Sequence, residues 1–430
     1  MQHRKDIDGL RGIAVLAVIF AHAKIAGFAG GFVGVDIFFV ISGFLITTST
    51  ISAINDGSFS LLNFWERRIR RIIPAFYLTL LLCLPFAWWL MHYIDRFDLI
   101  QSMLYSLSFL SNLFFEQRVD YFDGVSSLHP LIHTWSLAIE EQYYIAFPLL
   151  MLGLFSLSRK LKCSYFAVCL GGLAVIAISS LIWSEYELRT MPTKAYYLLQ
   201  YRAFELLIGA ITAIFSLAYS RFIPTHRVSK ELLSLSGLML IIYAVATFDY
   251  ATPFPGLHAL IPTIGTALIL LNIHGGGLIY NILSISILRF VGKISYSAYL
   301  LHQPIIAFTW HFLPHAPKQP DYIMAIIATL VLATLSWRYV EQPFRNANRF
   351  SRNQIFSFSI IGAVFFSAIG GLGVVSHGTY FVASSQQENY MVETFLAKTR
   401  INYGLHEDCE TSFTMSKNCA TSNDDPEVLL

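Results

Sequence analysis

Apolar runs of about twenty residues recur along most of this chain, the length an α-helix needs to cross the hydrocarbon core of a bilayer. They fall at roughly 12–26, 32–51, 73–91, 98–115, 134–155, 164–183, 200–219, 231–248, 257–273, 291–313, 322–341 and 356–376. Only 13% of the 430 residues are charged, about half the share in a soluble domain, so the chain is short of water-facing surface. It reads as an all-α, polytopic integral membrane protein. The net charge of +2 gives no reason to expect nucleic acid as a partner, because the basic residues gather between apolar runs and form no continuous patch. Met1–Lys5 resembles the start of a signal peptide. Arg11 interrupts the apolar run that follows, however, and no small-residue cleavage site comes after it, so the first span is read as retained.

The basic clusters set the expected topology. They lie at Arg4/Lys5/Arg11, Arg67/Arg68/Arg70/Arg71, Arg159/Lys160/Lys162, Arg221/Arg227/Lys230, Arg289/Lys293 and Arg338/Arg345/Arg349/Arg352. The positive-inside rule places all of them in the cytoplasm, which requires an even number of crossings between neighbours. Parity fails only between Arg71 and Arg159. The most polar segment there, 98–115, is therefore expected to be buried in protein without crossing. The outcome is a ten-span domain over 1–345 and a linker over 346–377 that holds one further span. The N-terminus is expected inside and the C-terminus outside.

The remainder, 378–430, is polar and holds Cys409 and Cys419 in "CETSFTMSKNC". The pair reads as a small disulfide loop, which needs an oxidising compartment and so agrees with an outward C-terminus. Cys83, Cys163 and Cys169 lie in or beside spans and read as packing residues. The closing "DDPEVLL" looks like the opening of a strand, and a further domain is expected beyond it.

Ionisable residues inside spans are costly and usually line cavities. Arg11 and His22 are eleven residues apart, which on a helix puts them within ~20° of one stripe and ~16 Å apart along it. That spacing points to a pathway entered from the cytoplasm. "HPLIHTWSLAIEEQYY" places His129, His133, Glu140 and Glu141 at the mouth of an apolar helix. The histidines are four apart, but Pro130 follows the first and no HExxH pattern is present, so no metal is expected. Adjacent carboxylates diverge by about 100° on a helix, so at most one of Glu140 and Glu141 faces a given pocket. Arg202 and Glu205 in "YRAFELLIGA" are three apart and read as an internal ion pair. "ISYSAYLLHQPI" adds Tyr299 and His302 as candidates, with Ser295, Tyr296 and Ser297 read as interhelical contacts. Phosphate-binding loops, nucleophile elbows and dinucleotide fingerprints are absent from the sequence.

Seven stretches occur in an order that resembles the membrane acyltransferase type 3 family. These are the Arg11-to-His22 spacing, "GGFVGVDIFFVISGFLIT", "ERRIRRIIPAFY", "HTWSLAIEEQYY", "YRAFELLIGA", "ISYSAYLLHQPI" and "RYVEQPF", running from about Asp8 to Pro343. Within that family the chain is similar to bacterial O-antigen acetyltransferases, whose membrane domain is joined to a periplasmic SGNH-like domain; no "GDSH"-type block is present here. The resemblance implies that an acetyl group passes from cytoplasmic acetyl-CoA across the bacterial inner membrane. The acceptor would be a glycan hydroxyl, foremost that of lipid-linked lipopolysaccharide O-antigen. It implies catalytic roles for His22, Glu140, Glu141 and His302. It also implies donor-binding roles for Arg11, Arg67, Arg68, Arg70, Arg71 and Tyr299. Arginine suits the CoA phosphates because its planar fork binds them at two points; Arg11, Arg70 and Arg71 are assigned to that end. His22 would then meet the thioester, as general base or as an acylated intermediate.

If the charge-derived topology holds, Cys409 and Cys419 lie outside the cytoplasm and are joined. A membrane-impermeant maleimide should then label neither in intact spheroplasts and both after reduction. Labelling that requires membrane permeabilisation would reverse the assignment.

Overall fold

Helices make up all regular structure among the described residues, as expected of a chain whose backbone polar groups must be satisfied without water. A computed structural model describes residues 4–118 and 128–375. The expected Cys409–Cys419 loop and the segment 378–430 lie outside the described residues. The first half comprises α1 (Lys5–His22), α2 (Gly34–Asn55), α3 (Leu61–Leu90), α4 (Tyr93–Leu107), α5 (Ser111–Arg118), α6 (Thr134–Leu161), α7 (Tyr165–Leu188) and α8 (Pro192–Tyr197). The second comprises α9 (Leu199–Ala218), α10 (Arg227–Thr247), α11 (Leu260–Asn272), α12 (Leu278–Leu283), α13 (Ser286–Phe312), α14 (Gln319–Ser336), α15 (Gln342–Arg345) and α16 (Arg352–Val375).

Among the described residues, eight segments are long and apolar enough to cross a membrane: Ala29–Asn55, α3, α6, α7, Pro192–Ala218, α10, Gln319–Arg345 and α16. The chain is thus an all-α polytopic membrane protein. Three other expected spans, α1, α11 and α13, fall short on length or apolarity. The first of them carries Lys5, Asp6, Asp8 and Arg11 within eighteen residues.

Several boundaries differ from the sequence reading, for identifiable reasons. The first span, expected at 12–26, is a helix over Lys5–His22. Asp6 and Asp8 in its first turn complement the helix dipole, and Lys24, with φ 51°, stops the helix from continuing. Arg11 therefore sits almost two turns inside the helix and not at its entrance. The third span, expected at 73–91, begins at Leu61, where the Ser60 side chain caps the Asn63 amide at 3.4 Å. All four arginines of "ERRIRR" are consequently on α3 and not before it. The segment 98–115 is broken at Phe109, with φ 54°, into the 15-residue α4 and the 8-residue α5. Neither is long enough alone to cross a bilayer.

The closest helix packing is between α1 and α13, which run parallel. A Cβ on Gly12 would lie 2.4 Å from the Leu288 carbonyl oxygen and one on Gly292 1.7 Å from that of Asp8, while one on Gly9 would lie 1.8 Å from that of Leu283, at the end of the preceding α12. Only glycine permits backbones this near, the usual basis of tight helix association in membranes. A second pair, α2 and α9, uses Gly43 and Gly209 against the carbonyls of Leu206 and Val40 in the same way. Helix α16 lies against α3 and α4: Gly362 faces the Tyr77 ring, Gly370 faces Leu104, and the Tyr77 hydroxyl donates to the Ser359 carbonyl at 2.7 Å. The helix read from sequence as a link thus belongs to the same compact unit as the rest of the described chain.

Gly292→Ala should force α1 and α13 apart at a cost of about 1–3 kcal/mol or more. It should lower the thermal midpoint of the detergent-solubilised protein, followed by size-exclusion fluorescence. Gly171→Ala, where a Cβ meets nothing within 4 Å, should leave it unchanged.

Candidate active site

The glycine contact brings two polar stripes face to face. Arg11 on α1 donates through Nη2 to the Ser295 hydroxyl of α13 at 2.8 Å. Ten residues further along α13 than Gly292, His302 meets His22, with ring centroids 5.1 Å apart and the rings edge to face. Each histidine Nδ1 lies against a carbonyl of its own helix, His22 on Val18 at 2.9 Å and His302 on Tyr299 at 2.6 Å. A carbonyl can only accept, so each Nδ1 carries the proton and each Nε2 is left as the basic atom.

Beside Arg11 opens a cavity. Arg11, Arg68, Arg71, Glu140, Ser295 and Tyr296 give it one strongly polar wall. Its other lining residues include Phe38, Phe39, Ser136, Leu137 and Tyr299. Arg68 and Arg71 share a face of α3 because they are three residues apart. The Arg68 guanidinium also lies 5.1 Å above the Tyr144 ring. Glu140 is held from two sides, accepting from Ser42 at 2.7 Å and from Tyr144 at 3.2 Å. Three guanidinium groups face this single tethered carboxylate, so the cavity suits an anionic ligand.

The structure does not bring all the candidates together. Arg11, Arg68, Arg71, Glu140 and Tyr299 line the cavity. Glu141, one residue on, is not among the lining residues, and its Oε1 is buried with no hydrogen-bond partner among the described residues. Arg67 is exposed. Arg70 is turned away from the cavity and fully engaged: it pairs with Glu66 at 2.8 Å and donates to the carbonyls of Phe344 at 3.3 Å and Phe350 at 2.8 Å. Glu66 in turn holds Arg352 at the start of α16, at 2.6 Å. Arg70 thus ties α3 to the segment that leads into α16, while its neighbours face the cavity. His22 and His302 do not line the cavity, and His302 packs against its lining residue Tyr299 at 5.3 Å.

Two further groups belong to this region, His133, which the sequence places with Glu140 at the mouth of one helix, and Asp36, which it does not single out. His133, set aside there as a metal ligand, packs its ring 5.5 Å from both His302 and Tyr299. Its position in "HTWSLAIEEQ", directly before the helix that carries Glu140, is the available signal. Asp36 is the other. It is fully buried and lies 3.4 Å from Arg202, which also meets Glu205 at 3.1 Å. The Arg202–Glu205 pair is legible from its spacing, whereas Asp36 sits on α2 with no local partner. The Arg202 guanidinium is surrounded by Phe39, Trp135, Tyr196 and Phe254, with ring centroids 5.2–5.7 Å away. Phe39 lines the cavity and Trp135 adjoins Ser136, so this cluster supports the cavity wall from behind.

A family model described as an acyltransferase domain matches residues 4–338. The chain belongs to the membrane acyltransferase type 3 family. The resemblance read from the seven motifs holds at that level. YrhL of Bacillus subtilis, provisionally named a peptidoglycan O-acetyltransferase, is 33% identical over 90% of this chain and 66% of its own length. The peptidoglycan O-acetyltransferase OatA of Listeria monocytogenes is 35% identical over 79% of this chain and 55% of its own. SAS0844 of Staphylococcus aureus, provisionally named an O-acetyltransferase, is 32% identical over 80% and 58%. The chain thus spans less than two thirds of the length of these relatives. No solved structure matches it.

The buried ion cluster gives a direct stability test. Arg202→Met leaves Asp36 and Glu205 without their cation, at an expected cost of about 3–5 kcal/mol. Adding Asp36→Asn and Glu205→Gln should restore much of the loss. Thermal unfolding in detergent checks both statements.

Proposed function

We propose that this protein transfers an acetyl group from acetyl-CoA on the cytoplasmic side to a hydroxyl of an extracytoplasmic glycan. The observation that carries the reading is the convergence of Arg11, Arg68 and Arg71 on one cavity whose lining residue Tyr299 packs on His302, itself against His22. The CoA phosphates would pair with those guanidinium groups. Arg71 and Arg11 keep the role expected from sequence, and Arg68 takes the place assigned there to Arg70. The pantetheine arm would follow the cavity toward Tyr299. The basic Nε2 of His22 would take the proton of the acceptor hydroxyl as its oxygen bonds to the acetyl carbon. The carbon–sulfur bond then breaks, and the CoA thiolate leaves and is protonated. Glu140, tethered by Ser42 and Tyr144, would position the arginines across the cavity.

The relatives' names support peptidoglycan as the acceptor. The lipopolysaccharide O-antigen expectation rests on motif resemblance alone. The membrane domain over 1–345 would carry the reaction. Its basic clusters favour a cytoplasmic N-terminus in the cytoplasmic membrane of a bacterium. An SGNH-like partner domain, membrane lipids and the glycan complete the expected interactions.

His22→Ala should leave acetyl-CoA binding within about threefold of wild type yet reduce glycan acetylation by at least ~10²-fold, the low end of general-base contributions. Arg11→Ala should weaken donor binding more than Arg11→Lys, because only arginine holds a phosphate bidentately. Calorimetry with acetyl-CoA reads the binding, and ester release from purified peptidoglycan and, separately, from lipopolysaccharide reads the transfer. Wild-type ester in His22→Ala at matched expression would remove His22 from the chemistry. Unchanged affinity in Arg11→Ala would remove Arg11 from the donor site.

A further inference from the structure

The histidines adjoin the cavity through Tyr299 and are not among its lining residues. Tyr299 is the residue between them. Its ring forms part of the cavity wall, and it also packs against His302 at 5.3 Å and His133 at 5.5 Å. Neither of those histidines lines the cavity, and neither does His22. The Tyr299 hydroxyl is fastened at that position, 2.6 Å from the Ser136 hydroxyl and donating to the His133 carbonyl at 3.1 Å. Both partners belong to the start of α6, so the latch joins α13 to α6. Behind it His302 is completely buried, and its Nε2 has no hydrogen-bond partner among the described residues.

We propose that Tyr299 is a gate. Latched to Ser136, it closes the donor cavity off from the His22–His302 pair; swung aside, it lets a thioester seated in the cavity reach the basic Nε2 atoms. This assignment rests on the donor reading above and replaces a donor-binding role for Tyr299. Two physical points favour it. The distance to be covered is short, because Tyr299 and His302 are one helical turn apart on the same face, about 4.5 Å along the axis. The latch is also weak enough to open, being two neutral hydrogen bonds of modest net worth. A closed partition keeps water on the acceptor side away from a bound thioester, and so limits its wasteful hydrolysis.

The test reads access to His302 directly and needs no turnover. Diethylpyrocarbonate modifies the unprotonated imidazole, and peptide mass spectrometry of the detergent-purified full chain gives the rate at His302. Wild type should react slowly. Ser136→Ala, which removes one partner, should react roughly three- to tenfold faster, as expected for loss of one neutral hydrogen bond, and Tyr299→Phe, which keeps the ring and loses both bonds, at least as fast. Tyr299→Ala should react faster still. Added CoA should slow the reaction in the open variants by filling the cavity. Equal rates at His302 in wild type and all three variants would overturn the gate. Faster labelling that CoA does not slow would sustain the gate while striking down the donor reading, so the two failures are separable. Thermal midpoints of Tyr299→Phe and Ser136→Ala near that of wild type exclude global loosening as the cause of faster labelling.

Discussion

The approach of α1 and α13 to backbone contact is the constraint on which the rest of the described structure depends. Gly12 and Gly292 leave no room for a Cβ where α1 and α13 meet, and the two helices pack in parallel. That register sets Arg11 beside Ser295 at one level and His22 beside His302 at another. A bulkier residue at Gly12 or Gly292 would separate the stripes as well as the helices. Without a hydrophobic drive between helices in lipid, such close van der Waals packing is the main force available. The same economy recurs where Gly43 and Gly209 join α2 to α9, behind the opposite wall of the cavity.

Arginine serves two purposes in this protein, and the difference lies in what surrounds each guanidinium. Arg70 and Arg202 have their charge answered by protein groups. Arg70 is held by Glu66 and two carbonyls, and Arg202 by Asp36 and Glu205 within a box of aromatic rings. Both hold helices together. Arg11, Arg68 and Arg71 instead line a shared cavity in which Glu140 is the one lining carboxylate, held by Ser42 and Tyr144. Burying a charge is expensive unless it is paired, so a set of guanidinium groups left facing a cavity is the feature that most favours an anionic ligand there. The contrast between adjacent residues on one helix, Arg70 and Arg71, shows how finely that division is drawn.

The class of the molecule is legible in the order of residues, because membrane-length apolar runs with few charges admit little else. The common stripe of Arg11 and His22 and the Arg202–Glu205 pair follow from helical periodicity, which acts over a few turns of one element. Limits appear where a residue's role depends on another helix. "ERRIRR" offers four equivalent cations in sequence, and only packing against the 344–350 segment and the cavity tells Arg70 from Arg68. Glu140 and Glu141 are likewise indistinguishable until α2 brings Ser42 to one of them. His133 is grouped with Glu140 in sequence, yet rings of α13, those of Tyr299 and His302, pack against it.

Residue order is enough to show that the chain is helical and lies in a membrane, that its polar residues are concentrated on a few stripes, and that its motifs are those of one acyltransferase family. These properties reside in composition, in period and in local order along the chain, none of which needs a neighbour to be defined. Tertiary structure alone decided which arginines face the cavity, which carboxylate joins them, and that Tyr299 stands between the cavity and the histidines. Each of those outcomes turns on contacts between helices more than thirty residues apart in the chain, where glycine positions and side-chain volumes fix the register and no local pattern records the result.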